Sequence, residues 1–348
     1  MDGALSRPAL SIYAVPGRTT RPADAIQEGR DAEAAGFDAV YVSERLDLKD
    51  AGTVCGALVA TTSDIRVGTA LIHQGTRHPV SIAAMAATLQ NMSDGRFVLG
   101  LGRGLAALAP SLGVAPPTLA GMEHLVSVIR RLWAGERISE DGPAGAFHKL
   151  RFVDVPTHPA PPILFGTIGP KGLALAGRTF DGVILHPFLT TKAVGDSIAL
   201  VRKAAEEAGR DPASVRVVTT LVSAPDLSPE RTAIAARARA ISYFQVQGLG
   251  EQLAGWNDWD PAVLTAIREH PTMRGKGIAD TAMTRDHLVD AADAMPDEWF
   301  ADGAAIGSSE ACAQRARDYI AAGADEVLVH GASPAEATAM ARAFREQP

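Results

Sequence analysis

Short apolar runs alternate with longer amphipathic stretches along most of this chain. "ALSIYAV" (9–15), "FDAVYVS" (37–43), "IRVGTALI" (65–72), "RFVLGLG" (96–102), "PILFGT" (162–167), "DGVILHP" (181–187), "VRVVTTLVS" (215–223) and "ADEVLVHG" (324–331) each read as a strand. Their near-continuous apolar character is that of strands covered on both faces, as in a parallel sheet. Helical patterns fall between them, over 21–36, 52–62, 79–93, 121–135, 170–178, 193–209, 228–244 and 308–323, and a last one over 333–344 closes the chain. Pro22 and Pro79 sit in first turns, Gly36 is a stop, and Ser228 and Ser308 or Ser309 are caps.

Repeated strand–helix units of this number predict a (β/α)8 TIM barrel, one α/β domain over 1–348. A doubly wound open sheet with a small second domain is the competing architecture, but no linker-like segment divides the chain. The rhythm breaks twice. Residues 136–161 are rich in Gly, Pro and charge and read as a small hairpin or surface excursion, and 245–307 is a long insertion. In a barrel, such loops are where function concentrates.

Composition narrows the function classes. Apolar residues make up 47% and charged residues 21%, which gives enough apolar material for a large core. The formal charge of −7 and the absence of a Lys/Arg block argue against nucleic-acid and membrane-surface partners. "MDGALSRPAL" has no apolar core of signal-peptide length, and Cys55 and Cys312 are far apart with no metal-ligand spacing. A cytoplasmic protein with reduced thiols, no metal and a small-molecule substrate is expected.

"GRFVLGLGRG" (95–104) poses a choice between a dinucleotide loop and the end of a barrel strand. A dinucleotide fingerprint needs GxGxxG after the first strand of a βαβ unit. Here the glycines are Gly100, Gly102 and Gly104, so the third comes one residue early, and the strand is the fourth. In the barrel reading, Gly100 and Gly102 end a strand at the catalytic face, where a missing Cβ lets a flat ring lie close to the backbone.

"LQNMSDGRFVLGLGRG", with "AEAAGFDAVYVSER" (32–45), "IRVGTALIHQGTRHPVSIAAMAATL" (65–89), "PILFGTIGPKGLALAGRTFDGVIL" (162–185) and "GSSEACAQRARDYIAAGADEVLVHG" (307–331), resembles the luciferase-like monooxygenase family. It is most similar to the branch that uses the deazaflavin coenzyme F420. The resemblance covers nearly the whole chain, in barrel order, and is weakest over 245–300. It implies an F420-dependent oxidoreductase that passes a hydride to or from a small organic substrate. A flavin mononucleotide (FMN) monooxygenase and a non-catalytic coenzyme-binding barrel are the alternatives. It also implies a homodimer, paired through the small-residue helices at 52–62 and 79–93.

Chemistry-bearing residues gather at the expected strand ends. Ser43, Glu44 and Arg45 follow the second strand, where barrel enzymes place catalytic groups. Related sugar-phosphate dehydrogenases carry Asp and His at the positions of Glu44 and Arg45, and a Glu where this chain has Leu105. Arginine stays protonated and cannot act as a base, so both departures argue against sugar-phosphate oxidation. The resemblance implies a bulge with a non-prolyl cis peptide at Ala70–Leu71, backing the coenzyme ring. His73 lies just beyond and is the candidate proton donor; Glu44 is a positioning partner for the ring or for Arg45. Gly102, Arg103 and Gly104, with Ser43, are expected to contact the coenzyme. In "FGTIGPKGLALAGR", Gly169 gives a tight turn, Pro170 opens a helix whose free N–H groups suit an anion, and Lys171 and Arg178 add positive charge. The resemblance puts the coenzyme phosphate at the backbone of Ile168 and Gly169, with Thr167 and Lys171 beside it. His186 is a further pocket candidate. Trp256 and Trp259 read either as packing of the insertion on the barrel or as walls for an apolar substrate.

Overall fold

The computed structural model describes residues 8–104, 106–154, 158–279, 283 and 285–346. All eight expected strands form, and they close on themselves. In chain order the strands are β1 (Ala9–Tyr13), β2 (Ala39–Val42), β3 (Arg66–Thr69), β4 (Ile72–His73), β5 (Phe97–Gly102), β6 (Ile138–Gly142), β7 (Gly145–Leu150), β8 (Ile163–Thr167), β9 (Gly182–Leu185), β10 (Arg216–Pro225), β11 (Ala304–Gly307) and β12 (Glu326–Gly331). The parallel ring runs β1–β2–β3–β5–β8–β9–β10–β12 and returns to β1. Helices cover its outside, so the strands are buried on both faces, as their continuous apolar runs require.

Inside the ring, Val98, Leu164, Ile184, Val218 and Leu328 pack together with Ala39, and all are at most 4% exposed. Below this aliphatic layer, at the N-terminal end of the barrel, Glu326 is fully buried. Arg216 donates to its Oε2 from Nε at 2.9 Å and Nη2 at 2.6 Å, Arg66 Nη2 reaches the same oxygen at 3.1 Å, and the Ser11 hydroxyl donates to Oε1. Burial alone would raise this carboxyl, but the two guanidinium groups bring it down to about 2.

The excursion at 136–161 contains the expected hairpin, β6 antiparallel to β7. Four readings need correction. The third strand is broken: β3 ends at Thr69 and pairing resumes at Ile72. The interval 245–307 ends in β11, which pairs with the last four residues of β10. Helix 21–36 begins at Asp24, because Pro22 lies in the turn before it. The stretch 228–244 is capped by Ser228 as expected, yet it is not one α-helix. A wider π turn, Ala233–Arg237, separates Pro229–Thr232 from Ala238–Phe244. Cys55 and Cys312 are free and buried. No described helix is long and apolar enough to cross a membrane.

Candidate active site

The chain crosses from β3 to β4 with one residue more than its partner needs. Gly68 pairs with Val98 and Ile72 with Leu101, so three residues, 69–71, stand opposite two. This is a β-bulge, a device that re-aims a strand at a barrel rim. The Ala70–Leu71 peptide within it is cis, as the resemblance implied. A bulge leaves backbone groups of the neighbouring strand without ladder partners, and Thr69 supplies them. Its hydroxyl accepts from Gly100 N–H and donates to Gly100 C=O, both at 2.9 Å. On the other side, Glu44 N–H donates to Leu71 C=O at 3.3 Å.

The glycines of "GLGRG" make room for this bulge. A Cβ on Gly100 would lie 1.9 Å from the Thr69 carbonyl oxygen, and one on Gly102 would lie 2.6 Å from Leu71 Cδ1. Gly166, on β8, faces the same Leu71 methyl at 2.2 Å. Gly104 has φ +75° and abuts the His73 ring. The expected role, close approach of a flat ring to bare backbone, is therefore corrected: these positions are bare so that Thr69 and Leu71 can lie over them. The resulting platform of Ala70 and Leu71 caps the aliphatic layer of the barrel.

Ser43, Glu44, Arg45 and Ala70 line one pocket at the C-terminal mouth. Glu44 is held by Arg77 rather than by Arg45: Arg77 Nη1 donates to Oε2 at 2.7 Å, and Nη2 is 2.6 Å from Oε1. Arg77 also binds Asp50, the N-cap of the helix Ala51–Thr61. Arg45 lies 4.0 Å from Asp47. His73, Arg103 and Gly104 line a neighbouring recess with Leu108 and Leu112. Burial lowers the His73 imidazole from its ordinary value, and Glu44 partly opposes that. Leu105 lies outside the described residues.

Next along the ring, β8 delivers Thr167, then Ile168 and Gly169, to the start of the helix Pro170–Thr179. Gly169 is not a tight turn: its φ of −74° and ψ of 148° are extended, and it serves as the N-cap. A Cβ there meets only Gln252 Oε1, at 2.9 Å. Thr167 Oγ1 is buried beneath the first turn without a hydrogen-bond partner. Lys171 is exposed in that turn, whereas Arg178 is in the last turn and faces Glu123 at 3.5 Å. Arg178 is thus removed from the candidate anion site. Trp256 Nε1 donates to Ile168 C=O at 2.8 Å and ties the insertion to the barrel, whereas Trp259 stacks on Trp299 at 4.6 Å within the insertion itself.

The other wall of the mouth was not anticipated. Tyr13, Arg239, Tyr243 and His330 line it. The Tyr13 and His330 rings are 4.4 Å apart, and burial pushes the Tyr13 hydroxyl pKa upward. His186 packs edge-on against Tyr243, donates from Nδ1 to Pro187 C=O and is held near 4 by burial; it sits behind the wall rather than in it. His330 stands near the C-terminal end of β12, close to the kind of position that singled out Glu44. The described residues hold no cluster of three or more potential metal ligands.

A family model described as luciferase-like monooxygenase matches residues 8–326. The chain is 29% identical over 268 residues to the 5,10-methylenetetrahydromethanopterin reductase of Methanolobus tindarius, covering 75% of this chain and 78% of that one. It is 35% identical over 198 residues to the F420-dependent glucose-6-phosphate dehydrogenase of Nakamurella multipartita, covering 51% of this chain and 57% of that one. The barrel superimposes on the coenzyme F420 dependent tetrahydromethanopterin reductase of Methanopyrus kandleri with a TM-score of 0.78. The two share 18% identity over 97% of this chain and 98% of that chain, a likeness of fold.

Proposed function

The chain belongs to the luciferase-like monooxygenase family, and on that premise we propose that it is an oxidoreductase transferring a hydride between coenzyme F420 and a small organic substrate. The observation that carries the proposal is the bulge platform of Ala70 and Leu71 at the barrel mouth, two strands along the ring from a helix start suited to a phosphate. Relatives whose names specify F420 support the choice of coenzyme. Ala70 and Leu71 would back the ring, with Ser43, Gly102, Arg103 and Gly104 around it. Thr167, Ile168, Gly169 and Lys171 would hold the phosphate, through first-turn N–H groups that a helix leaves unpaired. Bound F420 supplies or accepts the hydride. His73 gives a proton to the substrate atom that gains the electron pair, and Glu44, through Arg77, fixes the loop that carries it. Pairing of two copies through the helices Ala51–Thr61 and Pro79–Met92 belongs to the same proposal.

Titration of the protein with F420 and with FMN, followed by optical change, tests the coenzyme. F420 binds at micromolar concentration in this reading, and turnover with reduced FMN and oxygen in the absence of F420 binding overturns it. Gly169→Val adds bulk where the extended backbone tolerates it and only the end of Gln252 must move. F420 affinity falls about tenfold in this variant, with an unchanged melting temperature, because the added side chain obstructs backbone approach to the phosphate. Wild-type affinity would place the phosphate elsewhere.

His73→Ala slows the chemical step by roughly a hundredfold while coenzyme affinity stays within twofold. The sign of the pH dependence follows from its lowered pKa. The acid form is lost as pH rises through a value below 6.5, so single-turnover reduction of an enone or ketone slows with rising pH in the wild type but not in the variant. A flat wild-type profile from pH 5 to 8 removes His73 from the proton transfer.

A further inference from the structure

We propose that Arg239 binds an oxyanion, a carboxylate or phosphate, on the small organic substrate, so that the mouth pocket selects acidic substrates. This deepens the oxidoreductase reading and rests on it for the word substrate.

The argument begins with the backbone. The π turn Ala233–Arg237 adds a residue to its turn and so rotates the helix that follows; such turns concentrate at functional sites. Ala238–Phe244 thereby presents Ala238, Arg239, Ser242 and Tyr243 to the pocket shared with Tyr13 and Ala70. Arg239 is only 9% exposed. Its Nε donates to Ala235 C=O at 3.2 Å, a carbonyl of the π turn itself, and Nη1 lies 2.8 Å from His330 Nε2. These contacts fix the plane of the guanidinium. Among the described residues no carboxylate lies within ion-pair distance of it, and Nη2 has no acceptor.

A buried cation without a counter-charge costs several kcal/mol, which an anionic ligand would offset. Among the described lining residues the pocket offers no internal substitute. Its described carboxylate, Glu44, is already forked by Arg77. Arginine is the side chain best matched to a planar oxyanion. The Tyr13 hydroxyl stands in the same wall as a further donor, Ser242 gives its proton to Arg239 C=O at 2.7 Å, and Ile234, Met283 and Leu288 make the remainder apolar. That combination fits a small acid with a hydrocarbon body.

Benzoate and its neutral isostere benzamide serve as probes, titrated calorimetrically into the F420-loaded protein and into the protein alone. Benzoate binds at least tenfold more tightly than benzamide in the wild type. Arg239→Gln removes that preference, leaves benzamide unchanged and leaves F420 affinity within twofold, while Arg239→Lys keeps part of the preference. Equal binding of the two probes to the wild type overturns the proposal, and this needs no variant to fold. An Arg239→Gln protein that loses F420 tenfold yet still prefers benzoate overturns it too, since the arginine then serves the coenzyme. A wild type that never binds F420 but prefers benzoate through Arg239 refutes the oxidoreductase reading and leaves the anion site standing.

Discussion

Alanine at position 100 collapses the barrel mouth: F420 affinity falls more than a hundredfold, and stability drops on the order of 4 kcal/mol, the scale of a severe core defect. The added methyl would sit 1.9 Å from the Thr69 carbonyl oxygen and 3.0 Å from its carbon. Both are backbone atoms, so no rotamer change relieves the clash. Moving Thr69 breaks the two 2.9 Å hydrogen bonds by which its hydroxyl serves Gly100, leaving buried amide groups unpaired. The platform of Ala70 and Leu71 is displaced with it. Gly102→Ala is the control. Its clash is with Leu71 Cδ1, the end of a flexible side chain, so the loss is smaller. Thermal melts and F420 titrations of both variants decide the matter, and a Gly100→Ala protein with wild-type values refutes the account.

At the opposite end of the barrel, Glu326→Ala destabilises the fold by about 3–5 kcal/mol, because it strands Arg66 and Arg216 beside a buried void. Chemical denaturation at neutral pH measures this directly. The pH dependence carries a second signature. The carboxyl is depressed from an ordinary 4.5 to about 2, so its contribution is complete above the unfolded value and is lost as pH falls from there toward 2. That difference is worth about 3 kcal/mol. Wild-type stability therefore declines through this acid window more steeply than that of Glu326→Gln. Parallel slopes in the two proteins would show that the network does not hold the charge assigned to it.

The barrel was legible because its information is local. Eight apolar runs, each followed by a helical period, permit few other arrangements. The elements missed are those whose signal lies elsewhere in the chain. Ala304–Gly307 is four residues after a helical stretch, and it becomes a strand because β10 runs far enough to offer Val222–Pro225 as a partner. The π turn has no side-chain signature, since "AIAAR" suits an ordinary helix equally well; yet it decides that Arg239 and Tyr243 face the mouth. Glu44 was found from its place at a strand end, but its partner, 33 residues on, depends on how the loop after β4 folds back. His330, at the C-terminal end of the apolar run of β12, obeys the same positional rule that found Glu44. The glycines at 100 and 102 were correctly placed at the mouth and wrongly explained, because a missing Cβ does not say which neighbour fills the space.

The aliphatic layer across the ring divides the barrel into a mouth and a base, each with its own cavity. Val98, Leu164, Ile184, Val218 and Leu328 carry no donor or acceptor side chain, and at most 4% of each is exposed. These five side chains relay no proton from the arginine-lined base to the mouth; the hydroxyls in the same cluster belong to Tyr13 and Tyr41. In the proposed reaction, protons consumed at the mouth would therefore come from the side on which the substrate binds. With a substrate bound there, His73 in its proposed role would hold a single proton, and reprotonation from bulk solvent would follow product departure.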